Sequence, residues 1–216
     1  MHALFLLVAY SPTPKRSAGD TPQKNLNNYI KSHILLNQTF AEMLTFADMK
    51  AKKPKETIAE MTELVLPNDT NTLGNLMGGR LMHWMDIVSA ISAQMHCNRI
   101  VVTAAVDFVD FKHPIRLGEI VKLSAKVTRA FNTSMEVYVK VIGKNLRTGE
   151  EKFCNEAYFT FVAVDQDGLP ISIPQIEPEN EEEKSQYEDA LARRNMRLML
   201  AGKIKPDINI LNDLLT

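Results

Sequence analysis

Residues 68–86 read NDTNTLGNLMGGRLMHWMD, and this stretch decides the fold and function that the sequence predicts. Its first half is a polar loop rich in Asn, Asp, Thr and Gly, residue types that favour turns. Its second half carries apolar residues at helical spacing and begins with the pair Gly78-Gly79. Two glycines at a helix start let another group approach the backbone closely. We therefore expect a loop that leads into an accessible helix N-terminus.

Such a helix N-terminus is suited to stabilise a developing negative charge. Its first N–H groups have no partner within the helix, and the helix dipole is positive there. The oxyanion that forms when a thioester carbonyl is attacked is such a charge, and one well-placed donor stabilises it by roughly 3–4 kcal/mol. Asp86 lies about two turns further along the same helix. Most Gly-Gly pairs are plain turns, so this interpretation depends on the rest of the chain.

The remaining pattern predicts one long helix and an antiparallel sheet. Apolar and polar residues alternate in long runs that are separated by short turns, and short connections imply antiparallel pairing. The expected fold is α+β, a long central helix at 79–96 wrapped by a five-stranded antiparallel β-sheet in the order β-α-β-β-β-β. The expected strands cover 57–66, 100–111, 121–128, 134–146 and 152–164, and a surface helix is expected at 184–200.

The central helix is expected to be covered on two sides. One sector is apolar and is predicted to pack on the sheet; it holds Leu81, Trp84, Ile87, Val88, Ile91 and Met95. The opposite sector carries small residues and a single acid instead of the Lys and Glu of a solvent face; it holds Met82, His83, Asp86, Ser89, Ala90, Ala93 and Gln94. We expect a second subunit or a ligand to cover that sector.

Composition limits the class of protein. The 216 residues are 45% hydrophobic and 24% charged, as in a globular protein. The formal net charge of −1 provides no basic field for a nucleic acid or a membrane, so neither partner is expected. Cys97 and Cys154 fit no metal-ligand spacing and no secreted disulfide framework, and we expect buried, inert thiols in the cytoplasm.

Three segments are predicted along the chain. Residues 1–55 form a peripheral extension with a signal-like apolar start and a possible helix at 26–47, and Met49 resembles a natural N-terminus, so an upstream start codon is one explanation. Residues 56–170 carry the strong periodicity and form the domain. Residues 171–216 form a C-terminal tail with the surface helix.

The full pattern resembles one family, the hot-dog acyl-CoA thioesterases of the YciA and brain acyl-CoA hydrolase type. The resemblance extends over residues 57–175 and rests on the following stretches: Asn68-Asp69-Thr70-Asn71, Gly74-Asn75, Gly78-Gly79, Met85-Asp86, Val102-Thr103-Ala104, 111–119, 133–137 and 159–165. It implies an enzyme of fatty acid metabolism that hydrolyses acyl-CoA without a metal or organic cofactor. It also implies a homodimer as the minimal active unit, assembled further into a hexamer, with active sites at the dimer interface.

The resemblance also implies residue roles. Asp86 is expected to act as general base or nucleophile, and Asn75 to assist it from the partner subunit. Gly78 and Gly79 are expected to bind the thioester oxygen. Thr103, Asn132 and Ser134 are expected to contact the substrate, the last two near the pantetheine or phosphates of CoA.

Two rival interpretations stay open at this point. A hot-dog dehydratase uses a catalytic His paired with a helix acid, and no His lies in the loop that supplies it. An acyl-CoA-sensing module joins a hot-dog domain to a DNA-binding segment, and residues 1–55 lack the basic charge for one. His83 is a weaker candidate partner for Asp86. Lys112, Arg116 and Arg129 are candidates for CoA phosphate binding, with a solvated strand edge equally expected for each.

Overall fold

The computed structural model describes residues 49–205. The elements are strand β1 (Ala59–Leu64), helix α1 (Gly78–Cys97), strands β2 (Ile100–Phe111), β3 (Ile120–Ala130), β4 (Ser134–Lys144) and β5 (Glu151–Val164), and helix α2 (Glu181–Leu200). This confirms the predicted order and shifts most boundaries by only a few residues. The predicted helix at 26–47 and the signal-like start lie outside the described residues.

The five strands form one antiparallel sheet in the order β1-β3-β4-β5-β2. The three long strands of the meander are neighbours; Val137 of β4 pairs with Val127 of β3 on one side and with Phe159 of β5 on the other. Strand β2 lies at one edge and pairs only with β5, so its other edge has no partner within the described chain.

Helix α1 packs on one side of this sheet, and the core lies between them. The alternating residues predicted for the inner side are buried, each at most 1% exposed: Val121, Leu123, Ala125 and Val127 on β3, and Met135, Val137, Val139 and Val141 on β4. Large side chains of β5 complete the layer, with Phe159 and Phe161 both 1% exposed. Burying this many apolar groups is the main source of stability for the fold.

The predicted division of the helix into two sectors is wrong for five of the thirteen residues assigned to them. Ile87, Ile91 and Met95 are 37–45% exposed, whereas Ser89 and Ala93 are fully buried. Helix α1 lies close to a curled sheet, and small side chains permit that approach where hydrophobicity alone favours large ones. We call Ile87, Ile91 and Met95 the free apolar stripe, because they follow one another at intervals of four residues on one side of the helix. The free apolar stripe is therefore the surface of α1 that we expect an external partner to cover.

Helix α2 lies against the other side of the sheet. Arg193 forms two hydrogen bonds with Glu136 of β4, at 2.9 and 2.8 Å, and Ala190 is fully buried. The chain reaches this helix by way of residues 170–178, where Ile173 donates its N–H to Asn132 and Ile176 bridges Lys52. Contacts therefore cross the predicted boundary between domain and tail at residue 170.

Residue His96 connects the end of α1 to this crossing segment. Its side chain is fully buried, and Nε2 donates to the carbonyl oxygen of Pro174 at 2.8 Å, while Nδ1 has no partner in the described chain. Burial lowers the pKa of His96, the charge of nearby Lys52 lowers it further, and the Pro174 hydrogen bond opposes both. The fold therefore favours the neutral imidazole.

We expect acid to destabilise the protein through His96. Because the folded-state pKa lies below the ordinary value of 6.5, this stability is present at higher pH and is lost as the pH falls below that value. Thermal unfolding of wild type and His96→Gln at pH 8 and pH 5.5 tests this. The wild type should lose more stability on acidification than the variant. His113→Gln, at an exposed histidine, is the control, and equal losses in wild type and His96→Gln would contradict the assignment.

Candidate functional site

The loop before α1 is tied to the helix by Asp69. This side chain is 5% exposed, and its carboxylate accepts the N–H of Leu66 at 3.0 Å and pairs with Arg80 Nε at 2.7 Å. The backbone oxygen of Asp69 accepts the N–H of Met77 at 2.9 Å. Asp69 therefore fixes the loop against the first turn of α1 and is engaged in structure.

Two asparagines shape the tip of this loop. The carboxamide oxygen of Asn71 accepts the N–H groups of Leu73 at 2.9 Å and Asn75 at 3.2 Å. Gly74 has φ +73°, a left-handed conformation that favours glycine. The half-buried carboxamide of Asn75 forms no hydrogen bond within residues 49–205. Asn75 is therefore free to contact a molecule outside the described chain.

Helix α1 begins with two unoccupied N–H groups. The first helical bonds run from Arg80 and Leu81 to the carbonyl oxygen of Met77, both at 3.0 Å, so the N–H groups of Gly78 and Gly79 have no acceptor in the described chain. A Cβ atom on Gly78 would lie 3.3 Å from the ring of Phe111, whereas one on Gly79 would meet nothing within 4 Å. Of the two glycines, only Gly78 is closely packed, and a side chain there would require the Phe111 ring to move by a few tenths of an ångström.

The carboxylate of Asp86 lies on α1 and is half-buried. Its Oδ1 accepts a hydrogen bond of 2.7 Å from the hydroxyl of Thr103 on β2. The contact joins two residues that the sequence predicted separately, one as the reacting acid and one as a substrate contact. The structure gives no hydrogen bond between Asp86 and His83, which is exposed one turn earlier. A hydroxyl that donates to a carboxylate fixes its orientation and leaves the second oxygen free.

Gly78 and Asp86 are too far apart to act on one thioester within a single chain. Eight residues of α-helix at 1.5 Å per residue separate them by about 12 Å along the axis. A thioester carbon and its oxygen are bonded, so both groups must lie within a few ångströms of the same point. If both groups act on one thioester, they therefore come from different chains.

Asn132 and Ser134 lie in the hairpin between β3 and β4. The carboxamide oxygen of Asn132 accepts the hydroxyl of Ser172 at 3.2 Å. Ser134 pairs with Val162, which pairs with Val102 of β2, so two strand spacings of about 4.8 Å separate it from that strand. The structure does not bring these two residues to Asp86 of the same chain.

The basic candidates for phosphate binding differ in their surroundings. Lys112 pairs with Glu156 at 3.1 Å. Arg129 donates to the carbonyl oxygen of Tyr187 at 2.7 Å and stacks on the ring of that residue. Arg116 is exposed, and its guanidinium forms no salt bridge or hydrogen bond within the described residues. Arg116 is therefore the candidate whose charge is free.

The two cysteines are buried, as predicted. Burial raises the pKa of both the Cys97 and the Cys154 thiol, which disfavours the reactive thiolate. Among residues 49–205, no group of three or more His, Cys, Asp or Glu side chains is placed to hold a metal ion. No described helix is long and apolar enough to cross a membrane.

Comparison with known proteins places this arrangement in a family. The model of the thioesterase superfamily matches residues 73–150. YkhA of Bacillus subtilis, described as an uncharacterized acyl-CoA thioester hydrolase, is 43% identical over 143 residues, which are 66% of this chain and 83% of YkhA. A crystal structure of an apo-hexameric acyl-CoA thioesterase superposes with a TM-score of 0.68 at 43% identity, covering 71% of this chain and 98% of the other.

A Staphylococcus aureus acyl-CoA hydrolase extends the comparison to the ligand. Its structure in complex with butyryl-CoA, CoA and CoA disulfide superposes with a TM-score of 0.65 at 35% identity, covering 71% of this chain and 95% of that one. Further structures of that enzyme carry single alanine substitutions at an aspartate, a threonine and an asparagine. With a helix wrapped by a five-stranded sheet, and with this agreement in sequence along most of YkhA, the chain belongs to the family of hot-dog acyl-CoA thioesterases.

Proposed function

We propose that this protein hydrolyses acyl-CoA to a free carboxylic acid and CoA, with Asp86 as the reacting acid. The observation that supports this most directly is the half-buried Asp86 carboxylate, oriented by the Thr103 hydroxyl at 2.7 Å. The proposed reaction consumes only the thioester and water and uses no metal or organic cofactor. Its location in the cytoplasm is a further prediction.

Asp86 would remove a proton from water as the water oxygen attacks the carbonyl carbon. The carbonyl electrons move to oxygen, and the free N–H groups of Gly78 and Gly79 would bind the resulting oxyanion. The C–S bond then breaks, and the CoA sulfur leaves with a proton returned from Asp86. In the covalent variant, the Asp86 carboxylate attacks the thioester carbonyl carbon and the C–S bond breaks, so that CoA leaves and an acyl-aspartyl anhydride forms. Water then attacks the aspartyl carbonyl of this anhydride and releases the carboxylic acid. A single turnover in ¹⁸O water separates the two, because only the covalent route places the label in the protein.

A homodimer would complete the site. The N–H groups of one subunit and Asp86 of the other can meet at one thioester, whereas the same groups within a chain lie about 12 Å apart along α1. Two surfaces support this assembly: the unpaired edge of β2, with Ile100 and Val102 56% and 48% exposed, and the free apolar stripe of α1. An exposed apolar edge strand presents unpaired N–H and C=O groups with which a strand of another chain can pair. We propose a dimer that assembles further into a hexamer.

Assay of thiol release from a panel of acyl-CoAs tests the function. Turnover supports the enzyme, and the chain-length profile identifies the acyl group. Tight binding of acyl-CoA without thiol release would favour the sensor, and hydration or dehydration of the acyl chain with the thioester intact would favour the dehydratase.

The helix N-terminus has a matched pair of test variants. Gly78→Ala and Gly78→Pro both place a Cβ near Phe111, but only proline removes the N–H group. Proline fits here because Met77 has ψ 135°, as the residue before a proline prefers. We expect kcat of the proline variant to be about 10²- to 10³-fold below that of the alanine variant. Equal kcat values would remove Gly78 from the proposed oxyanion site.

Mixing two inactive variants then tests the shared site. Asp86→Ala and Gly78→Pro, refolded together, should form heterodimers with one intact site, and random pairing should restore about a quarter of wild-type activity. No recovery in demonstrably mixed dimers would show that each chain uses its own residues.

Two asparagines, Asn75 and Asn71, are candidates for the residue that assists Asp86 in the proposed hydrolysis. The sequence predicted Asn75, whose carboxamide forms no hydrogen bond among residues 49–205. In the S. aureus hydrolase, however, the substituted asparagine, aspartate and threonine have the same spacing along the chain as Asn71, Asp86 and Thr103 have here. Asn71 also holds the loop through two backbone N–H groups.

We expect Asn75→Ala to lower kcat by about 10- to 100-fold with little change in stability, because it removes one hydrogen bond to the reacting atoms. Asn71→Ala should lower both kcat and the melting temperature, because it also frees the loop. Steady-state kinetics and thermal unfolding of the two variants decide between them. A normal kcat for Asn75→Ala with a loss for Asn71→Ala would assign the role to Asn71.

A further inference from the structure

Asn155 is a polar side chain in the core with no partner. It is fully buried, and neither its carboxamide nitrogen nor its carboxamide oxygen forms a hydrogen bond in the described chain. Leaving such groups unpaired costs free energy, so buried amides are nearly always satisfied. Something outside the described chain is therefore expected to bond to Asn155.

The position of Asn155 in the sheet directs it toward α1. On β5 it follows the same alternation as Ala157 and Phe159, both buried on the helix side, and its partner Val141 is also buried. On its other side it pairs with Phe111 of β2. The ring of Phe111 in turn lies against Gly78 at the start of α1. Asn155 is thus one residue removed from the proposed oxyanion site.

The chemistry of the surroundings limits what bonds to Asn155. The described core contains no buried lysine or arginine, and the buried acids, Asp69 and Glu136, are already paired with arginines. A charged group would therefore be unstable beside it. A hydroxyl accepts from the amide nitrogen and donates to the amide oxygen, so a single hydroxyl satisfies both atoms. A ketone oxygen accepts only.

We propose that Asn155 recognises a hydroxyl group on the acyl chain, and that the enzyme prefers hydroxyacyl-CoA to the matching unsubstituted acyl-CoA. This rests on the proposed function, because it places the acyl chain between α1 and the sheet, beside the carbonyl held at Gly78. A site that bonds a substrate hydroxyl discriminates against the analogue that lacks it, because its polar atoms are then unpaired. An unbranched chain without a hydroxyl leaves Asn155 unsatisfied.

The test compares butyryl-CoA with 3-hydroxybutyryl-CoA and 4-hydroxybutyryl-CoA in wild type and Asn155→Val. We expect the wild type to prefer at least one hydroxylated substrate over butyryl-CoA. The ratio of kcat/KM for that substrate to kcat/KM for butyryl-CoA should be about 10- to 100-fold lower in Asn155→Val than in the wild type. Thr160→Val is the matched control, since Thr160 has another buried, unpartnered hydroxyl on β5 but faces the opposite side of the sheet. Its ratio should equal that of wild type.

Asn155→Thr, which keeps a polar group and suits a strand, serves if the valine variant does not fold. Calorimetric binding of the same substrates to Asp86→Asn separates the two proposals. If Asp86→Asn binds the hydroxylated substrate more tightly and the wild type releases no thiol, the hydrolase proposal is refuted and the assignment of Asn155 stands. Turnover with the same ratio in wild type and both Asn155 variants refutes the assignment of Asn155 and leaves the hydrolase proposal standing.

Discussion

Asp86→Asn is expected to lower kcat for acyl-CoA hydrolysis by about 10²- to 10⁴-fold, the contribution of a positioned general base. The amide keeps the shape of the carboxylate and an oxygen for the Thr103 hydroxyl, but it does not accept a proton from water. Because Asp86 is half-exposed, the substitution should leave the melting temperature nearly unchanged. Thiol release and thermal unfolding are measured side by side.

His83→Gln is the control for this prediction, since it lies on the same exposed side one turn earlier and should retain wild-type activity. The kcat of Thr103→Val should lie between those of Asp86→Asn and His83→Gln, about 10- to 100-fold below wild type, because the Asp86 carboxylate loses the hydrogen bond that orients it. Undiminished hydrolysis by Asp86→Asn, repeated with Asp86→Ala to exclude deamidation, would refute the assignment.

Arg193→Ala is expected to have the largest effect on stability, with a loss of about 3–5 kcal/mol in the free energy of unfolding. The Arg193 and Glu136 side chains are 12% and 2% exposed and are joined by two hydrogen bonds. Removing the arginine leaves the Glu136 carboxylate buried with only the Thr128 hydroxyl at 2.7 Å. Chemical denaturation of the variant and the wild type provides the measurement.

Arg194→Ala is the matched control, because the neighbouring arginine stacks on the ring of Phe131 at 4.7 Å and pairs with no carboxylate in the described chain. We expect Arg194→Ala to lower the free energy of unfolding by less than about 1 kcal/mol. The double variant Arg193→Met with Glu136→Leu should regain most of the stability, since replacing both charges by apolar groups removes the unpaired carboxylate. Equal losses for Arg193→Ala and Arg194→Ala would show that this ion pair does not hold α2.

The sheet was predictable because each strand repeats a local rule. Residues 121–128 alternate between apolar and polar types, and the structure buries Val121, Leu123, Ala125 and Val127 as that alternation requires. The free N–H groups at Gly78 and Gly79 were equally predictable, since any helix leaves its first donors unpaired. The family resemblance predicted both Thr103 and Asp86 as site residues, and in the structure the Thr103 hydroxyl donates a hydrogen bond to the Asp86 carboxylate.

The sides of α1 were not predictable, because the hydrophobicity of a residue does not report how closely a sheet approaches it. Ser89 and Ala93 are buried through their small size, and Ile87 and Ile91 remain for a partner chain. Contacts between residues far apart in the sequence were also not predictable. Glu136 lies in an alternating strand at a position typical of solvent, and Arg193 reaches it from 57 residues away.

The sequence by itself determined a helix with an open N-terminus, its acid at Asp86 and the antiparallel sheet around it, because these features arise from local periodicity and a continuous motif. Only the tertiary structure decided which side of that helix no described residue covers and that the hydroxyl of Thr103 orients Asp86. It also decided that Asn155 is buried without a partner among residues 49–205. These depend on how distant segments pack, and packing is fixed by the shapes of side chains from several strands at once.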